Sequence, residues 1–275
     1  MRNSLSVAVG GLNLDSNAYE NGHVVDVYDC NGHESQQWLS PSYDDTALAR
    51  LFAPRLRFDG AAPNFPMSAQ VFFDQAVAVP QTYRVDNTDH GTIASHLVPT
   101  YHQITQCGSQ IRIMYWWFYG YQSTCDGVSG AHNGDWENVM VTSSEDRTGI
   151  AAVTYFAHGK HYTRLPARGG VEMEHGAHPV FYPGKTTHGA YHTQGGSGSC
   201  LFWEDFHNGG SGYHMDSWNN LVSLDGDAEP WMAVDRAVDF SWGSDGVSTP
   251  PTRSGPSCSM AAMAWEPGNP TSGSS

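Results

Sequence analysis

Three side chains able to hold a cation fall within six residues in His132-Asn-Gly-Asp135-Trp-Glu137. In an extended segment, residues two apart project to one face, so Asp135 and Glu137 converge while Trp136 turns to the core. His132, three residues back at a loop-to-strand junction, can swing over the same face. Carboxylate oxygens with one nitrogen suit magnesium or calcium, then manganese; zinc prefers more imidazoles. Further imidazoles follow: His158 and His161 in one short segment, His175 and His178 in another, and His188 in Lys185-Thr-Thr-His188-Gly-Ala-Tyr191. The chain has fourteen histidines, so each taken singly reads as an ordinary polar residue.

A cation in such an acidic cleft has two uses. It can bridge to the hydroxyls of a glycan or of a glycosylated lipid headgroup, with the aromatic surroundings as platforms for sugar rings. It can also lower the pKa of a bound water and support hydrolysis, given a base within reach. Only Glu137 and His158 can be nominated as that base. The common hydrolase signatures are absent: there is no Gly-x-Ser-x-Gly, no His-Glu-x-x-His and no phosphate-cradling loop. The enzyme reading is therefore the weaker one. A third alternative needs no metal, with the carboxylates capping loops in a structural or lectin-like module.

The elements that must position these groups read as strands. Residues 110–121, Gln-Ile-Arg-Ile-Met-Tyr-Trp-Trp-Phe-Tyr-Gly-Tyr, are almost all β-branched or aromatic, as in a strand buried on both faces. Residues 138–142, 149–157 and 179–182 give three more strands. Residues 45–52 are the best helix, and residues 82–103 read as a polar insertion loop. Abundant aromatics, 30 glycines and only 13 Lys plus Arg favour strands and loops over helices. The expected fold is all-β: a central β-sandwich with long loops and few short helices.

The net charge of −15 excludes a phosphate-binding surface and hence nucleic acid. No stretch is long and apolar enough to span a membrane. The first residues lack the hydrophobic core of a secretion signal, and the chain is expected to begin part-way through a domain. None of the five cysteines forms a Cys-x-x-Cys, so a zinc-ribbon or thioredoxin reading has no support, and their possible pairing suits an oxidising, extracellular setting. Cys107 and Cys125 flank the aromatic strand and could bridge its ends; Cys200 and Cys258 would then pair and leave Cys30 alone. Sequence does not fix the connectivity.

Residues 1–40 read as strand, Asn21-Gly22 turn, strand and a closing Gln36-Gln-Trp38. This resembles one repeat of a ricin-type β-trefoil lectin, a fold that needs three repeats to close its core. The resemblance implies sugar contacts from Asp15 and Tyr28, supported by Asp26 and Gln36. A turn-rich linker follows, then a domain over residues 45–265, and residues 266–275 form a Gly/Ser/Pro-rich tail expected to be disordered.

The segment Gly130-Ala-His132-Asn-Gly-Asp135-Trp-Glu137 resembles the Gly-His-Arg-His-Asp-Trp-Glu heptapeptide of the necrosis-inducing, or NLP-type, cytolytic toxins. Tyr115-Trp-Trp-Phe-Tyr, His178-Pro-Val-Phe-Tyr, Lys185-Thr-Thr-His188-Gly-Ala-Tyr and Asp216-Ser-Trp-Asn-Asn-Leu-Val resemble the related vacuolar-protein-sorting-62-like family. The resemblance implies a sandwich with a metal in an acidic pocket at one end. By position it implies His132, Asp135, Glu137, His188 and an aspartate near Asp126 as the metal-holding set. Gly134 stands where the heptapeptide has its second histidine, which makes the vacuolar-sorting-like branch the nearer one. Together these readings describe a secreted protein that binds a glycan or glycolipid through a divalent cation, with peripheral membrane contact and cytolysis as the expected outcome.

Overall fold

The computed structural model describes residues 44–78, 85–125, 127–157, 159–196, 205, 207, 212–225, 231 and 255–260, plus the backbone of five short N-terminal strands. The chain divides into two compact units, Met1–Asp44 and Asp45–Ser275. In the first, β1 (Ser4–Leu5) pairs antiparallel with β5 (Trp38–Leu39). Strands β2 (Ala8–Val9), β3 (Leu12–Asp15) and β4 (Asp26–Asp29) form an antiparallel sheet in that order. Asp15 is in register with Asp26, and Asn13 with Tyr28. The Asn21-Gly22 turn and Gln36 lie outside the described residues, as do the side chains of Asp15, Asp26 and Tyr28.

The second unit opens with α1 (Asp45–Phe52), whose Leu48, Ala49 and Phe52 share one buried face. Pro54 stops it, since proline cannot continue the hydrogen-bond ladder and pushes its predecessor towards extended backbone. There follow β6 (Arg55–Phe58), α2 (Ala69–Ala78), α3 (Gly91–Ala94), β7 (Thr100–Cys107), β8 (Gln110–Gln122), β9 (His132–Ser143), β10 (Ile150–Ala157) and β11 (Lys160–Arg164). The chain continues with β12 (Met173–Glu174), β13 (His178–Pro183), β14 (Ala190–Tyr191), β15 (Tyr213–Asp216) and β16 (Leu221–Ser223).

One sheet has six strands in the order β11-β10-β9-β8-β7-β16; the other runs β12-β13-β6-β15, with β14 on β13. All pairings are antiparallel except β16 with β7 and β13 with β6. Alternation sends Ile111, Ile113, Tyr115, Trp117 and Tyr119 of β8 into a core shared with Leu56, Phe58, Phe181 and Met215 of the second sheet. Phe118 projects the other way, into a second cluster with Met67, Phe72, Tyr101, Trp136 and Trp231. The β8 strand is thus buried on both faces, as its composition indicates. Two of its buried polar tips find partners: Trp117 Nε1 donates to Thr100 Oγ1 at 3.0 Å and Tyr115 Oη to the Ala49 carbonyl at 2.7 Å.

Three expectations change. Residues 82–103 are not simply a polar loop, for they hold α3 and the start of β7, where Thr100, Tyr101, His102 and Gln103 are buried. A strand paired on both sides satisfies its backbone and can carry polar side chains inward, so hydropathy alone misplaces it. The β9 strand begins at His132 rather than Asn138, so the acidic motif is strand throughout. Finally, Cys107 pairs with Cys258, and Cys125 is half of another disulfide. Cys107 and Cys125 stand at opposite ends of a 13-residue strand, a span of roughly 40 Å, whereas the Cys107–Cys258 Cα separation is 5.5 Å. A bridge between the ends of one extended strand is geometrically closed off.

Candidate functional site

The motif is built on the β8–β9 ladder, which keeps one register from Arg112 opposite Thr142 to Gln122 opposite His132 and skips only the Gly120–Gly134 pair. Asp135 faces Tyr119 and Glu137 faces Trp117, while Trp136 lies opposite Phe118. The two carboxylates therefore share the side that looks between the sheets, and Trp136 packs in the outer cluster. The same-face expectation for Asp135 and Glu137 holds. The core that Trp136 joins is the second one.

His132 and Asp135, three apart, would project to opposite faces of a regular strand. Gly134 lies between them with φ at 69°, a left-handed backbone that turns the chain there and that favours glycine. His132 Nε2 ends 3.9 Å from Asp135 Oδ1, and its Nδ1 lies 2.9 Å from the Gly130 carbonyl, which also accepts from Gln122 Nε2 at 2.7 Å. His188 arrives from the second sheet, on the turn between β13 and β14. Its Nδ1 lies 2.8 Å from Asp135 Oδ2. Its ring stacks on Tyr119 with centroids 3.8 Å apart and planes within 5°. Asp135, at 7% exposure, is thus held between two buried imidazoles, one from each sheet.

The electrostatics follow from this burial. Burial alone would push the Asp135 carboxyl up, but hydrogen bonds and charge from His132 and His188 outweigh it and hold it below the ordinary carboxylate range. Glu137 moves the other way: burial, then the neighbouring Asp135 charge, raise it well above its usual value. Burial, then Glu137 and Asp135, likewise raise the Tyr119 phenol, so it stays a neutral donor. Among the described residues, neither Asp135 nor Glu137 is paired with a lysine or arginine.

Sequence reasoning missed Tyr119, which looks like one more aromatic in a hydrophobic strand. Only the register, placing it opposite Asp135, could have singled it out. Asp126 and His158 lie outside the described residues. His175 and His178 sit elsewhere, at the β12–β13 hairpin, where His178 stacks on Trp218 at 3.7 Å and lies 2.7 Å from the Ala53 carbonyl.

Among the described residues, no three His, Cys, Asp or Glu groups are grouped so as to hold a metal ion. Two features still suit a hard cation. Two neighbouring carboxyls without a lysine or arginine partner among the described residues raise each other's cost of ionising, and a divalent ion would relieve it. His188 Nε2 is buried without a hydrogen-bond partner, while its other nitrogen is engaged by a carboxylate, the arrangement typical of an oriented metal-ligand imidazole.

The fold and site define a two-sheet β-sandwich with an acidic, imidazole-flanked motif between the sheets. A family model described as necrosis inducing protein (NPP1) matches residues 89–228, which include every described motif residue. The chain belongs to that family. Several solved structures are similar in part. One described as a toxin fold for microbial attack and plant defense is 20% identical, covers 68% of this chain and 77% of its own, and has a TM-score of 0.40. NLPPya in complex with glucosamine is 19% identical over 68% and 76%, with a TM-score of 0.40. Necrosis and ethylene inducing protein 2, from the causal agent of cocoa's witches' broom disease, is 19% identical over 57% and 71%, with a TM-score of 0.35. No curated protein matches the chain.

Proposed function

We propose that this protein is a secreted, necrosis-inducing cytolysin that docks on a glycan or glycosylated lipid headgroup through a hard divalent cation, magnesium or calcium, held at Asp135 and Glu137. The observation that carries the reading is the Asp135 carboxylate gripped by His132 and His188 with Glu137 two residues along the same face. Family membership supports the necrosis-inducing outcome. When bound, the cation would supply vacant positions for sugar hydroxyls.

The chain's own residues do the rest. Asp135 stays ionised and orients both imidazoles. Glu137, protonated when alone, can give up its proton to a cation. Tyr119 backs His188 and offers a neutral hydroxyl. Gly134 stands where the family heptapeptide has its second histidine, which keeps the vacuolar-sorting-like branch as the nearer relative in this proposal. Sugar contacts from Asp15, Asp26, Tyr28 and Gln36 complete the reading for the N-terminal unit.

Vesicle leakage tests this function. Vesicles carrying a glycosylated lipid should release dye with the protein and magnesium or calcium, and should stay intact with chelator or with Asp135→Ala. Leakage that ignores both chelator and that substitution would remove the cation from the account; no leakage and no glycan-array binding would remove the cytolysin.

A further inference from the structure

Resting on the reading of Asp135 and His188 as the site, we infer that Asp205 is its positioning residue: the buried carboxylate is the mould on which the 184–189 turn closes, and that turn delivers His188 onto Asp135. Asp205 is 1% exposed and lies beyond the motif segments, with no sequence pattern to mark it. Its Oδ2 accepts the Thr186 amide at 2.5 Å, the Thr187 amide at 2.7 Å and the Thr187 hydroxyl at 3.2 Å. These are the two residues immediately before His188. The Asp205 amide donates to Tyr191 Oη at 3.3 Å, just past the other end of the turn.

The turn is drawn tight around this oxygen. Gly184 donates to the Gly189 carbonyl at 2.9 Å, and the His188 amide to the Gly184 carbonyl at 3.1 Å. A methyl on Gly184 would stand 2.9 Å from Asp205 Oδ2, and one on Gly189 3.1 Å from Ala157 Cβ, so carboxylate and strand leave no room for side chains there. His188 itself holds φ at 62°, a conformation that a non-glycine residue keeps only where its surroundings over-determine it. Two buried amides bound to one carboxylate supply that constraint. Without it, those amides lose a partner and the left-handed His188 is free to relax away from Tyr119 and Asp135.

The test uses the full chain and Asp205→Asn, which keeps an acceptor oxygen but loses the charge. Magnesium and calcium affinity should fall by about 10- to 100-fold, the usual effect of removing a ligand's orienting partner. In a His188→Ala background the same substitution should cost nothing further. Equal loss in both backgrounds would overturn the inference. A second readout needs no metal: the imidazole ¹⁵N signals of His188 should report one Nδ1–H tautomer in the wild type and a mixture in Asp205→Asn. An unchanged His188 tautomer would refute the positioning role. Failure of the wild type to bind either ion would instead sink the cation reading and leave the tautomer comparison to decide. Should Asp205→Asn not fold, Gly184→Ala, which presses a methyl on the same oxygen, should produce the same affinity loss and tautomer mixture, and a wild-type response there would equally overturn the role.

Discussion

Replacing His188 by alanine in metal-free protein should cost about 1.5–3 kcal/mol of folding stability near pH 7, because it removes a buried hydrogen-bond partner of the Asp135 carboxylate. His188 is 1% exposed and Asp135 7%, so solvent screens the contact little. The lost ring stacking on Tyr119 adds about 0.5–1.5 kcal/mol within that range. The sign of the pH dependence follows from Asp135. Its folded pKa is depressed, so its stabilisation is complete above the unfolded carboxylate value of about 3.9 and is lost as pH falls through the lower folded value. The gap between wild type and variant should therefore be full near neutrality and narrow below about pH 4. Urea unfolding at several pH values, with chelator present, measures it. In an Asp135→Asn background the penalty should shrink by several-fold, since no buried charge remains to be orphaned. A cost below about 1 kcal/mol, the same in both backgrounds, would show that imidazole and carboxylate do not meet.

Other outcomes follow from single features. Glu137→Gln should raise the melting temperature of metal-free protein at pH 8 and change little at pH 5, because the raised Glu137 pKa makes its ionisation destabilising as pH rises; with magnesium or calcium present the order should reverse, and an unchanged order in calorimetry would contradict it. Cys107→Ser with Cys258→Ser opens a loop of 151 residues and should cost about 4–5 kcal/mol on chain entropy, read as a lower urea midpoint. Gly134→His, which restores the residue of the family heptapeptide, should lose roughly 1–2 kcal/mol because φ there is 69°; a stability gain would mean that the backbone relaxes freely at this point.

Much of the fold was legible because its signals are local. Residues 110–121 announce a doubly buried strand through composition alone, and α1 shows its apolar spacing and its proline stop. Asp135 and Glu137 were legible as a same-face pair because strand alternation is fixed by backbone geometry. What escaped depends on long-range register. Tyr119 is a site residue only because it stands opposite Asp135. The polar start of β7 is buried only because β8 and β16 flank it. The Cys107 partner comes from 151 residues away, which no spacing rule can supply. His188 was reached by family resemblance, but the left-handed turn that aims it became visible only with Asp205 in place.

Isothermal titration of chelator-stripped protein with magnesium, calcium and manganese puts the least between observation and claim. Binding at one site per chain, abolished by Asp135→Ala and weakened by His188→Ala, is the expected result. No heat and no thermal shift with any of the three ions, in a folded wild type, would contradict the account and leave a sandwich whose buried carboxylates serve only its own packing.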